Sequence, residues 1–207
     1  PEMSRGLGDV YKRQMKGYYE FMEGKPVTVH IAEIDQPDVP LWAVWALQQY
    51  AKEKGKEACL KKYGKFIKDV VMYVKCNHHP NLKLMPNGLL YTGGKDKAVT
   101  WMNSTANGHP VVPRTGYIVE FNALWYNALC FCASLCELAG KEKDQQQFLE
   151  AAELAKQSFL DTFLNEYGYL YDYVDGKMID WSVRPNMIFP VAFDYSPLSQ
   201  DLSLIHI

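Results

Sequence analysis

A chain of 207 residues, 48% hydrophobic and 22% charged, is long enough to bury one sizeable core, which excludes disorder as its main theme. Lys plus Arg number 22 against 24 Asp plus Glu, a formal net charge of -2, and no basic run is long enough to follow a phosphate backbone, so nucleic acid and anionic membrane are excluded as main partners. No segment reaches the ~18 consecutive apolar residues of a membrane span and no charged-then-apolar leader opens the chain, so a cytoplasmic protein is expected.

The ends differ from the rest. "PEMSRGLGDVYKRQ", residues 1–14, and "DLSLIHI", residues 201–207, carry neither a cap nor a continuing period. They read as non-native flanking sequence, which leaves residues 15–200 as an internal piece of a longer domain. From Asp38, "DVPLWAVWALQQYAKEKG" has an N-cap residue, a proline in the first turn, apolar residues at helical spacing and a closing Gly55, so it predicts a helix of about four turns. Cys59, Tyr63, Phe66, Ile67, Val70, Val71 and Val74 follow at steps of three and four and predict a second helix with one buried face. The short joint makes the two antiparallel neighbours.

A third helix is expected from Val119 to Ala139, with Leu124, Trp125, Ala128, Cys132, Leu135 and Leu138 inward. The fourth spans Glu142 to Asn165 and buries Phe148, Ala152, Ala155, Phe159 and Phe163. Each helix pair is followed by a similar phrase, "NGLLYTGGK" at 87–95 and "YGYLYDYVDGK" at 167–177, whose Gly, Leu and Tyr recur eighty residues on. A repeated unit of two helices and a glycine-aromatic hairpin describes stacked helical hairpins. The second phrase leads through "DWSVRPNMIFPVAF" toward a fifth helix, and no parallel β pattern is present. The expectation is therefore an all-α fold. Between helices two and three runs a connection of about forty residues, far above the ~12–15 at which an unstructured loop becomes uncommon. Its Leu84, Leu89, Leu90, Trp101 and Met102 are too apolar for disorder, so an ordered functional loop is expected over residues 77–118.

Five cysteines, an odd number, sit mostly inside helical patterns and read as reduced core thiols. Cys130 and Cys132 point to opposite sides of a helix at about 100° per residue. Cys76, His78 and His79 lack a second ligand pair at suitable spacing, so no metal is expected.

The stretch "VTWMNSTANGHPVVPRTGYIVEFNALWYNAL" is polar in its first half and helical only from Val119 onward, so the first half asks for a ligand. It closely resembles the signature of the glycogen debranching enzyme C-terminal domain, the amylo-1,6-glucosidase part: Thr-Trp-Met-Asp, then Pro-Arg-x-Gly, then Val-Glu-x-Asn-Ala-Leu-Trp-Tyr-Asn. "DVPLWAVWAL" is similar to that family's Asp-x-x-Leu-Trp helix start, and "RPNMIFPVAFDYSPLS" to its Arg-Pro-Asn stretch. These matches fall in order and cover most of residues 35–199. The resemblance implies a partial (α/α)6 toroid, two helical hairpins and the start of a third, that hydrolyses the α-1,6-linked branch glucose of glycogen without a cofactor. Its partner would be an α-glucan such as glycogen or a limit dextrin.

Inverting glycoside hydrolysis needs an acid to protonate the leaving oxygen and a carboxylate to activate water, about 6.5–9.5 Å apart. The family places its acid at the aspartate of Thr-Trp-Met-Asp, where this chain has Asn103. An amide does not deliver a proton at neutral pH, so Glu120, the nearest motif carboxylate, joins Asn103 as a catalytic position, with Asp96 on the same loop. The resemblance puts the base on a later hairpin, so the 207-residue chain alone is expected to be inactive. The alternative is a non-hydrolytic α-glucan-binding toroid that has lost its acid at Asn103.

The remaining motif residues are expected to bind substrate: Asp38, Trp42, Trp101, Arg114, Asn122, Trp125, Arg184 and Asn186. Each also has a plainer reading. Asp38 can be an N-cap, and Trp42 and Trp45, three apart on a helix, can be core. Arg114 and Glu120 can form an ion pair that fixes the loop to the helix. Asn122, Tyr126 and Asn127 can cap, pack or bond hydroxyls. Trp101, which no helical period accounts for, is expected to face a sugar.

Overall fold

A computed structural model describes residues 36–202. The 1–14 segment and residues 203–207 of the terminal stretch lie outside the described residues. Helix α1, Val39–Lys54, starts with Pro40 in its first turn and stops at Gly55, whose φ of 90° turns the chain straight into α2, Lys56–Lys75. α2 buries one stripe, Cys59, Ile67, Val70, Val71 and Val74, and the Cys59 thiol reaches back to the Leu47 carbonyl of α1. α3, Val119–Leu138, is buried nearly all round, and α4, Glu142–Phe163, only along Phe148, Ala152, Ala155, Phe159 and Phe163. A helix apolar on every side belongs at the centre of a domain. α3 accordingly packs against α1, α2 and α4, and against the short α5, Ile188–Ala192, which a 3-10 turn at Pro185–Met187 precedes. Among the described residues no helix is long and apolar enough to cross a membrane.

The all-α expectation is incomplete. Strands β1 (Lys83–Leu84), β2 (Leu90–Thr92), β5 (Gly116–Ile118), β6 (Tyr173–Asp175) and β7 (Met178–Ile179) form one antiparallel sheet in the order β1-β2-β5-β6-β7. A separate hairpin pairs β3 (Thr105–Ala106) with β4 (His109–Pro110). Strands of two or three residues are too short to show a period of two. Their partners are also distant in sequence, Tyr91 with Tyr117 and Tyr117 with Val174, so only the folded chain reveals the sheet. The long connection after α2 is thus ordered through β1 to β5.

The eighty-residue echo is a structural repeat. Met85 N–H donates to the Leu89 carbonyl at 2.9 Å, and Asn165 N–H to the Tyr169 carbonyl at 2.8 Å. Gly88 donates to Met85 at 2.9 Å and Gly168 to Asn165 at 3.0 Å. Leu84 pairs with Leu90 and Leu164 with Leu170, while α1 starts at Val39 and α3 at Val119. Both turns need left-handed backbone, which Gly88 (φ 82°) and Gly168 (φ 80°) supply without steric cost. β5 lies between the two turn segments, so both phrases flank one strand.

Gly116 accounts for the glycine of Pro-Arg-x-Gly. Its φ is +84°, and a Cβ there would stand 2.3 Å from the Val174 carbonyl of β6. Gly116→Ala is therefore expected to destabilise the protein by ~1–3 kcal/mol, read from the shift of the urea midpoint. An unchanged midpoint would mean that β5 and β6 do not approach this closely.

Candidate functional site

Three helix starts supply a buried polar cluster: Asp38 ahead of α1, Glu120 in the first turn of α3, and Asn186 in the turn before α5. Arg114, just before β5, is 1% exposed and holds two fully buried carboxylates. Its Nη1 and Nη2 donate to Glu120 Oε1 and Oε2, the second at 2.6 Å. Its Nε donates to Asp172 Oδ2 at 2.8 Å, and Nη2 also donates to Asp172 Oδ1 at 2.9 Å. Only a planar guanidinium offers two such forks, so lysine would not serve. The ion pair that the sequence allows between Arg114 and Glu120 is thus present, with Asp172 as a third member.

Asp172 gathers further donors. Asn186 Nδ2 donates to its Oδ1 at 2.6 Å and Arg184 Nε to its Oδ2 at 3.3 Å, while Arg184 Nη2 reaches Asp180 Oδ2 at 3.0 Å. The side-chain Oδ1 of Asn186 accepts the Trp101 indole N–H at 2.9 Å. A continuous hydrogen-bonded path therefore runs from Trp101 through Asn186, Asp172 and Arg114 to Glu120. Trp101 is 47% exposed although its nitrogen is tied inward, so its ring is held still and presented to solvent. Asn103 lies half-buried between Trp101 and the β3–β4 hairpin, and Asp96 is exposed on the same connection.

Asp38 does not cap α1 with its side chain. It is buried, and its Oδ2 accepts the Trp42 indole N–H at 3.2 Å. Burial, reinforced by the Glu120 charge, pushes its carboxyl from 3.8 up to about 7, against the pull of Arg114. Burial also raises Glu120, with Arg114 opposing. The native state therefore keeps a proton on Asp38 that the unfolded chain gives up. The stability this group contributes is full below about pH 4 and is lost as pH climbs to about 7, a fall of roughly 4 kcal/mol. Asp38→Asn keeps the shape without the titration. Urea unfolding at pH 5 and pH 8 is expected to show a much smaller drop for the variant than for the wild type.

Other expected ligands are engaged inside the fold. Asn122 acts as a clamp on β2: its Oδ1 accepts Leu90 N–H at 2.6 Å and its Nδ2 donates to the Leu90 and Ile118 carbonyls. Trp125 is buried and donates to the Gly88 carbonyl at 3.2 Å, fastening the first hairpin to α3. Trp42 is half-buried, edge-on to Trp45, Phe189 and Phe193. Asn127 Nδ2 donates to Gln48 Oε1 at 2.7 Å, and its own Oδ1 accepts Tyr195 N–H, linking α1, α3 and the chain after α5. Tyr126 lies half-buried.

Sequence reasoning missed Asp172 and Asp180. A signal existed for the first: Asp172 occupies the repeat position of Thr92, one step after the shared Leu-Tyr, where the two phrases diverge. Both positions are buried, but Thr92 needs only the Asn81 carbonyl as acceptor, whereas Asp172 must answer two arginines.

A hollow of about 230 Å³ between α2 and α3, beside Lys68 and Cys132, and another of about 320 Å³ beside Gln48, Lys52 and Phe131 are lined by no residue of the cluster. Among the described residues no group of three His, Cys, Asp or Glu is placed to hold a metal. The cluster is thus a set of fixed, buried carboxylates, guanidiniums and an amide behind one solvent-facing indole. Comparison with curated proteins returns no match. Residues 30–206, which contain Asp38, Trp101, Arg114, Glu120, Asp172 and Asn186 together, match the family described as amylo-alpha-1,6-glucosidase, and the chain belongs to that family.

Proposed function

We propose that this chain is part of a glycoside hydrolase domain that hydrolyses α-1,6-linked branch glucose in glycogen or related α-glucans. The observation that carries the reading is Trp101: a half-exposed indole tied through Asn186 and Asp172 to Arg114, within a family-matched motif. Stacking on the indole would orient a glucose ring, and the partly exposed Arg184 would bond its hydroxyls, while the buried Asn186 and Asp38 hold Trp101 and Trp42 in place. Asn122, Trp125 and Trp42 stand behind these residues and keep them in place. The eighty-residue repeat, with a central α3 and one-sided α2 and α4, supports an (α/α)6 toroid as the parent architecture.

The proton donor is the open position. Asn103 stands where the resemblance puts the acid, and an amide does not serve. Glu120 has both oxygens on Arg114 and must leave that pair to give up a proton. Asp38 is the cluster carboxyl that burial keeps protonated close to neutrality. The test is glucose release from a limit dextrin by the full-length protein, and a well-folded protein that releases none would overturn the hydrolase reading. Asn103 favours a second reading, a non-hydrolytic α-glucan-binding domain, for which binding without release is the expected result.

A further inference from the structure

Trp181 lies on the turn between β7 and the 3-10 turn, the segment that delivers Arg184 and Asn186 to the cluster. It is 54% exposed, a large apolar ring facing solvent. The turn is nevertheless held firmly. Ser182 N–H donates to Asp180 Oδ1 at 2.7 Å, the other oxygen of Asp180 accepts Arg184 Nη2 at 3.0 Å, and Arg184 continues to Asp172. Tyr171, the residue before Asp172, packs edge-on against the indole with centroids 4.6 Å apart and planes at 76°. An edge contact braces a ring and leaves a face open. Trp101 is tied to Asn186, five residues after Trp181, so both indoles border the same anchored segment.

We infer that Trp181, braced by Tyr171, is a second stacking platform for an α-glucan chain, beside Trp101. This rests on the α-glucan reading above and deepens it. Trp101 would take the branch glucose, and Trp181 would take 1,4-linked units of the chain that bears the branch. Asp180, Ser182 and Arg184 supply the polar collar that sugar hydroxyls require around an aromatic face. The exposed Met178, Ile179, Val183 and Ile188 nearby fit a protein contact instead, which makes that contact the competing occupant.

The experiment measures binding of the full-length protein to maltoheptaose, a linear probe, and to glycogen. It compares wild type, Trp181→Ala, Trp181→Phe and a distant exposed control, Leu149→Ala. Trp181→Ala is expected to weaken binding of both probes about tenfold, ~1.4 kcal/mol. Trp181→Phe should recover most of that loss, and the control should bind as wild type does. Turnover of a small α-glucosyl fluoride, which needs only the branch-glucose site, should be unchanged in Trp181→Ala. Trp181 truncation removes the edge contact with Tyr171, so a melting curve of Trp181→Ala accompanies the binding data and an intact fold is required of it. Wild-type binding with equal affinity in Trp181→Ala overturns the platform and leaves the α-glucan reading standing. A wild type that binds neither probe overturns both. A Trp181→Ala protein that keeps its glucan affinity but loses self-association assigns the face to a protein partner and also overturns the platform.

Discussion

Replacing Arg114 with alanine is expected to destabilise the fold by about 3–5 kcal/mol, the cost of removing one partner from a buried ion pair. The geometry puts Arg114 at the high end of that range. Glu120 would lose both of its charge-assisted hydrogen bonds while remaining 0% exposed, and Asp172 would keep only Arg184 and Asn186. Part of the loss would be relieved by protonation of Glu120, whose carboxyl burial already raises. The check is the urea midpoint at pH 7 for wild type, Arg114→Ala and the double variant Arg114→Met with Glu120→Leu. The double variant is expected to recover much of the loss, because it leaves no unpaired charge at position 120. A loss below about 1 kcal/mol in Arg114→Ala would show that water reaches the pair and screens it as it does a surface salt bridge.

The second large effect is on catalysis in the full-length protein. Removing a general acid costs on the order of 10²–10⁴-fold in rate. Glu120→Gln, Asp38→Asn and Asn103→Asp therefore separate the possible donors by glucose release from a limit dextrin. If Glu120 gives the proton, Glu120→Gln loses most activity while Asp38→Asn changes it far less. If Asp38 gives it, the order reverses, and the alkaline limb of the pH profile, where Asp38 loses its proton near pH 7, is abolished in Asp38→Asn. If Asn103 marks a lost acid, the wild type is inert and Asn103→Asp gains activity. Because Glu120 is also structural, its variant needs a melting curve alongside, and a loss of rate without a loss of folded protein is the informative result. Full activity in all three would remove these residues from the acid role and leave Asp96, or a donor outside residues 36–202, to be tested next.

The helices were legible because their information is local. Steps of three and four, Pro40 in a first turn, and the glycines at 55 and 140 mark α1 to α4 to within two or three residues. The eighty-residue echo was legible for the same reason: each turn needs a left-handed residue, and Gly88 and Gly168 supply it at one distance from the starts of their helix pairs, Val39 and Val119. The pairing of Arg114 with Glu120 stood as one option among two, since six residues spanning a strand and a helix start can meet or diverge.

The sequence by itself determined the helical units, their repeat and the motif that identifies the family. It could not decide that β2, β5 and β6 meet in one sheet, because two- and three-residue strands take their stability from partners up to 57 positions away. Nor could it decide which motif residues face outward. Asn122 and Trp125 looked like ligands, yet they clamp backbone groups of the first hairpin, because buried amides and indoles must find partners and the nearest were Leu90 and Gly88. Tertiary structure alone brought Asp172 under two arginines and lifted the Asp38 carboxyl toward neutrality. Desolvation and charge proximity are properties of the space around a residue, and adjacent letters do not encode them.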